Sequence, residues 1–164
     1  MASPGRGPSL VAGEVVGVEM AGTQAERSDS GALHTDAPFA DVLVVDDDPS
    51  VRSSMTAVLR SSGLTVTEAA DGQEAVDVLA RHRVTVVVLD LHMAPRDGIW
   101  LLGQLADGPR RSRAVIVVSA FAIHSREEIA ERFAGIVTLA MQKPVPPTAL
   151  IEAVWRAVES PAPA

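Results

Sequence analysis

The chain contains no cysteine, only one lysine among its 164 residues, and no long apolar run. Without cysteine, neither a disulfide frame nor a thiolate zinc site is available. The net charge of −7 lacks the basic excess of a nucleic-acid surface, so no nucleic-acid partner is expected. No stretch is long enough to cross a membrane. Leu10 to Val18 is mildly apolar, but Gly13 and Glu14 interrupt it and make it a poor signal peptide. The expectation is a cytoplasmic protein without a membrane partner. The lysine shortage is informative in another way. Thirteen of the fourteen basic residues are arginine, so generic surface positions in this chain use arginine. Lys143, beside Pro144, stands out as a place where a compact ammonium is needed, against the alternative of a solvated loop lysine.

The chain is organised around Val42-Leu43-Val44-Val45-Asp46-Asp47-Asp48-Pro49. Four apolar residues run into three acids. A short uninterrupted apolar run suits a strand buried on both faces of a parallel sheet. The carboxyl ends of such strands face the crevice where open α/β sheets bind ligands. Asp48 reads as a helix cap with Pro49 at the first helical position. Asp46 and Asp47 are left over. Adjacent carboxylates repel, and a hard divalent cation, Mg²⁺ or Mn²⁺, offsets that repulsion.

Residues 1–39 are rich in Gly, Ala, Ser and Pro and read as a mostly disordered leader, in which Val11, Val15, Val16 and Val18 are candidates for a short strand or a sticky segment. From Phe39 the pattern is regular. After the strand Val42 to Val45, a helix opens at Pro49 with Val51, Met55, Val58 and Leu59 at helical spacing, and Gly63 stops it. Leu64 to Ala69 reads as a strand, and Asp71 with Glu74 as a capping box for a helix burying Ala75, Val76 and Leu79. Val84 to Leu89 is a second apolar strand ending at Asp90; a short helix carrying Ile99, Leu102 and Leu105 follows. Arg110, Arg111 and Arg113 read as a solvated loop. Ala114 to Val118 ends at Ser119, Ser125 and Glu128 cap a helix through Phe133, and Ile136 to Met141 leads to Lys143. A last helix presents Leu150, Ile151, Val154 and Val158, and residues 160–164 form a tail. Five strands alternating with five helices imply a doubly wound parallel sheet flanked by helices over residues 40–159.

Asp46, Asp47, Asp90, Ser119 and Lys143 each follow an apolar strand, so all are expected at one sheet edge. Carboxylates, a hydroxyl and an ammonium in one crevice suit phosphoryl chemistry. A carboxylate serves as nucleophile, and cationic groups with a hydroxyl donor neutralise the phosphoryl oxygens.

These pieces, with Val87-Val88-Leu89-Asp90-Leu91-His92-Met93, Asp97-Gly98, Val117-Val118-Ser119-Ala120 and Lys143-Pro144 in this order and spacing, resemble the response-regulator receiver domain of two-component signalling. The resemblance implies the flavodoxin-like receiver fold, a doubly wound five-stranded parallel sheet flanked by five helices. It implies a stand-alone phosphorylation switch with Asp90 as phosphoacceptor and a histidine kinase or phosphotransfer protein as donor. Asp47, Asp90 and the backbone carbonyl of His92 would ligate Mg²⁺, Asp46 would act mostly through water, and Ser119 and Lys143 would contact the phosphoryl group. A downstream protein target is implied, and a second copy of the chain is a candidate partner. The Lys143-Pro144 bond is expected to be cis.

The chain departs from the family pattern in three places. The proline expected four residues after the phosphoacceptor is displaced to Pro95, leaving Ala94 there; Ala140 stands where an aromatic residue is usual; and His92 and Phe121 flank the phosphoryl position. Phe121 is the expected mover on phosphorylation. Trp155 is expected at the edge of the last helix's apolar stripe, as an interface anchor or as ordinary packing. Two other readings compete. One is a pseudo-receiver that binds without taking phosphate. The other is a Mg²⁺-dependent aspartyl phosphohydrolase, against which stands His92 where such enzymes place a second aspartate.

Overall fold

The computed structural model describes residues 39–108, 112, 114–120 and 125–160. Five strands alternate with five helices: β1 (Phe39–Val45), α1 (Pro49–Ser61), β2 (Val66–Ala69), α2 (Gly72–Arg81), β3 (Arg83–Leu89), α3 (Gly98–Asp107), β4 (Ala114–Ser119), α4 (Arg126–Arg132), β5 (Val137–Gln142) and α5 (Pro147–Glu159). All strands are parallel, in the order β2-β1-β3-β4-β5. The order reverses between β1 and β3, and at such a reversal flanking connections leave on opposite faces and open a crevice.

The apolar strands divide their side chains between two layers because successive residues point to opposite faces. Leu43, Val45, Val87, Leu89, Val115 and Val117 pack with Ala75, Val78 and Leu79 of α2, Leu101 and Leu102 of α3 and Ile129 of α4. Val42, Val44, Val86, Val88, Ile116 and Val118 pack with Leu59 of α1 and Leu150, Val154 and Ala157 of α5. Trp100 lies against the first layer and Trp155, half-buried, against the second. Each fully buried Val or Leu contributes about 1.5–3 kcal/mol, so the two layers together supply the main driving force.

The helix termini follow local chemistry. Asp48 caps α1 by accepting from the amides of Ser50 (2.8 Å) and Val51 (3.2 Å). Beyond Ser62, the Gly63 amide donates to the Arg60 carbonyl and that of Leu64 to Leu59, with Gly63 at φ 92°. This pair of bonds closes the helix in a left-handed turn that glycine adopts without penalty. Ser125 and Glu128 form the expected reciprocal capping box on α4.

Several boundaries and core positions differ from the sequence reading. β1 starts at Phe39 and β3 at Arg83, β2 does not begin until Val66, and β5 runs Val137–Gln142. Asp71 caps α2, but the Glu74 carboxylate returns to the amide of Ala70 (2.7 Å), one residue earlier than a capping box requires. In α2 Val78 is buried while Val76 is only half-buried, and α3 buries Leu101 beside Leu102, leaving Ile99 and Leu105 partly covered. In α1 Thr56 is buried, three residues before Leu59 on the same face. Its residue type, not its spacing, hid it. Phe39, expected as the end of the leader, belongs to β1, while residues 1–38, Arg110, Arg111, Arg113 and residues 161–164 of the tail lie outside the described residues.

Candidate functional site

The strand ends converge because the ladders continue one residue past the strands. The Asp46 amide donates to the Ala69 carbonyl (3.3 Å), Asp90 to Val45 (2.9 Å) and Lys143 to Ser119 (2.9 Å). Asp46, Asp90, Ser119 and Lys143 are thus fixed at one edge, with the first two on either side of the strand-order reversal.

Asp46 and Ser119 are fully buried and Asp90 nearly so, whereas Asp47 is exposed. Buried carboxylates require compensation. Lys143 supplies it: its Nζ donates to Oδ2 of Asp46 at 2.9 Å and to Oδ2 of Asp90 at 3.1 Å. An ammonium has three donors, so one remains for a further acceptor. The second oxygen of Asp46 accepts from the Asp48 amide (2.9 Å), and that of Asp90 from the His92 amide (3.2 Å). Burial alone would lower the Lys143 pKa, but the bond to Asp46 and the charge and bond of Asp90 outweigh it, and the pKa is raised above 10.5.

Oxygens of Asp46, Asp47 and Asp90 lie within 4.8 Å of one another. Three carboxylates against one ammonium leave two negative charges, which suits one hard divalent ion held by oxygen ligands. The three acids are not equivalent. Both oxygens of Asp46 are engaged by the protein, while the Asp47 carboxylate has no hydrogen bond or ion pair among the described residues.

The loop after β3 is held closely. The Gly98 amide donates to the Leu91 carbonyl (3.1 Å), Asp97 caps α3 through the Trp100 amide (2.7 Å), and the Arg96 carbonyl accepts from the Gly72 amide (2.9 Å). A Cβ on Gly98 would overlap the Asp90 carbonyl and lie 2.7 Å from the Leu91 Cα, so this closeness to the acid requires glycine. The Lys143-Pro144 peptide is cis, as expected, and so is Ala94-Pro95.

Two contacts were missed in the sequence reading. Arg52, in the first turn of α1, donates from Nη1 to the Asp46 carbonyl (2.6 Å) and pairs with Glu68 (3.4 Å). His92, expected as a carbonyl ligand and as a residue flanking the phosphoryl position, also places its ring Nδ1 2.9 Å from Ser119 Oγ. The available signal was that β3 and β4 are neighbours, so residues just past their ends meet. Ala140 and Trp155 do not join the cluster. Ala140 is buried in β5 opposite Val117, and Trp155 packs on the second layer. Phe121 lies outside the described residues.

Comparison with known proteins agrees with this geometry. The family model described as the response regulator receiver domain matches residues 42–155. The transcriptional regulatory protein PdtaR of Mycobacterium tuberculosis is 33% identical over 119 residues, 71% of this chain and 56% of PdtaR, so the chain spans about half of that relative. The receiver domain of Francisella response regulator 1452 is 29% identical with a TM-score of 0.65, covering 73% of this chain and 97% of that domain. The response regulator TrrA of Thermotoga maritima, solved in complex with Mg²⁺-BeF, shares the fold at 23% identity and a TM-score of 0.63, covering 72% of this chain and 98% of TrrA. With five parallel strands, an acid cluster at the strand-order reversal and a family match over most of its length, the chain belongs to the response-regulator receiver domains of two-component signalling.

Proposed function

We propose that this receiver is a phosphorylation switch in which Asp90 takes a phosphoryl group from a histidine kinase or phosphotransfer protein. The observation that carries the reading is the Lys143 ammonium held between Asp46 and Asp90, with Asp47 free beside them. An oxygen of Asp90 attacks phosphorus, the bond from phosphorus to the donor nitrogen breaks, and its electron pair leaves with the imidazole. Asp47, Asp90 and the His92 carbonyl would hold Mg²⁺, or Mn²⁺ in its place, with Asp46 acting through water. The bound cation supplies positive charge for the phosphoryl oxygens. The third donor of Lys143 and the Ser119 hydroxyl serve those same oxygens.

Phosphorylation adds charge and acceptor oxygens at Asp90 and biases a two-state equilibrium. Output then passes through contact with a downstream protein or a second copy of the chain. No helix among the described residues is long and apolar enough to cross a membrane.

The test is intact-mass measurement after incubation with acetyl phosphate, with and without Mg²⁺. Wild type gains one phosphoryl mass only with the cation, and Asp90→Asn gains none. Modification of Asp90→Asn at the wild-type rate would falsify the assignment.

A further inference from the structure

Among the described residues, His92 is the one that hydrogen-bonds both the Asp90 carboxylate and the Ser119 hydroxyl. Its amide donates to Oδ1 of Asp90 at 3.2 Å, and its ring Nδ1 lies 2.9 Å from Oγ of Ser119. Ser119 is fully buried, so its hydroxyl needs a partner inside the protein. Both oxygens of Asp90 already have other donors, His92 and Lys143. The hydroxyl's contact is with the imidazole, and it makes no hydrogen bond to the acid among the described residues. Ala140, buried on β5, offers no ring with which such a rotation could be coupled.

We propose that the His92 ring is a positioning residue that holds the Ser119 hydroxyl in the unphosphorylated arrangement, so that phosphorylation of Asp90 must draw the hydroxyl away from it. This rests on the receiver reading above. In the tautomer whose Nδ1 carries no proton, the serine donates its single proton to the ring, and turning it towards a phosphoryl oxygen gives up that bond. The ring thus favours one of two arrangements, and a ligand at Asp90 works against that preference.

The experiment compares wild type, His92→Leu and His92→Asn, each with Ser119 intact and as Ser119→Ala. Asparagine keeps a hydrogen-bonding atom at the Nδ1 position; leucine removes it. In the ligand-free protein, long-range proton–nitrogen NMR at fixed pH reads His92 Nδ1 directly. Ser119→Ala shifts that resonance if the contact exists, and an unshifted resonance overturns the proposal. With Mg²⁺ and beryllofluoride as the phosphoryl stand-in, His92→Leu binds about threefold to tenfold more tightly, the worth of one released hydrogen bond. His92→Asn returns to the wild-type value, and in the Ser119→Ala background the leucine effect vanishes. Unchanged affinity in His92→Leu, or an effect that persists without the serine hydroxyl, overturns the proposal. Wild type that binds no beryllofluoride while its Nδ1 resonance responds to Ser119→Ala would refute the phosphorylation reading and the switching step with it, leaving only a structural contact.

Discussion

At the scale of single residues, the unequal surroundings of the acids predict unequal losses. Asp47 is exposed and without a partner among the described residues, while Asp48 is committed to two amides of α1. Asp47→Ala should weaken Mg²⁺ in a calorimetric titration by at least about tenfold, the loss of a charged ligand. Asp48→Ala should leave Mg²⁺ affinity nearly unchanged and cost about 1 kcal/mol of stability. Equal losses in the titration would contradict this division. Lys143 makes a pH prediction. The folded ammonium holds its proton more tightly than an unfolded lysine near 10.5, so its contribution to stability is complete below that value. That contribution disappears as pH rises through the higher folded value. The chain has no tyrosine, no cysteine and no other lysine, so no other side chain titrates in this alkaline window. Urea midpoints of the metal-free protein should fall there in wild type and stay flat in Lys143→Met. Lys143→Arg should impair phosphorylation despite keeping the charge, because a planar fork cannot replace an ammonium seated between two buried carboxylates. Asp46, Asp90 and Lys143 were legible in the sequence because each follows an apolar run. The contacts of the His92 ring and of Arg52 were not, because a contact between residues of different segments leaves no periodicity to read.

At the scale of elements, two glycines are required for different reasons, and substitution separates them. Gly63 has open space around its Cα but a φ of 92°. Gly98 has an ordinary backbone but no room between α3 and the Asp90 carbonyl. Gly63→Ala should cost about 1–2 kcal/mol by denaturant unfolding and leave Mg²⁺ binding intact. Gly98→Ala should cost about 1–3 kcal/mol and also weaken Mg²⁺, because relief of the overlap displaces the backbone at Asp90. A Gly98→Ala protein with wild-type metal affinity would show that the loop absorbs the methyl group elsewhere. Element type and order were readable here because strong signals agreed: unbroken apolar strands, capping acids and serines, and Gly63 at a helix end. Boundaries were less so. Ladder pairing with a neighbour decides where β2 begins, and at Leu64 alternation persists after the backbone has left α1 through its closing turn.

At the scale of the whole molecule, the sheet separates two apolar layers that share no side chain, since alternate residues of each strand serve opposite faces. Leu101→Ala in the first layer should cost about 2–5 kcal/mol, and Val154→Ala in the second a comparable or smaller amount given the smaller group removed. Binding of Mg²⁺ at the edge common to both layers should raise the unfolding midpoint of either variant with the logarithm of cation concentration, and in Asp47→Ala this rise should begin only at about tenfold or more higher cation. The distribution of tryptophan turns the same division into an optical property. Trp100 is seated on one layer and Trp155 on the other, and the chain has no third indole. Trp155→Phe and Trp100→Phe therefore yield a matched pair of emitters, each blind to the opposite side of the sheet. Superimposed denaturation curves from the pair would mean that the sheet transmits loss of packing from side to side as one event. Separated curves would mean that one side melts while the other stays closed. The same pair, read on addition of beryllofluoride, tells which side of the sheet carries the signal outward.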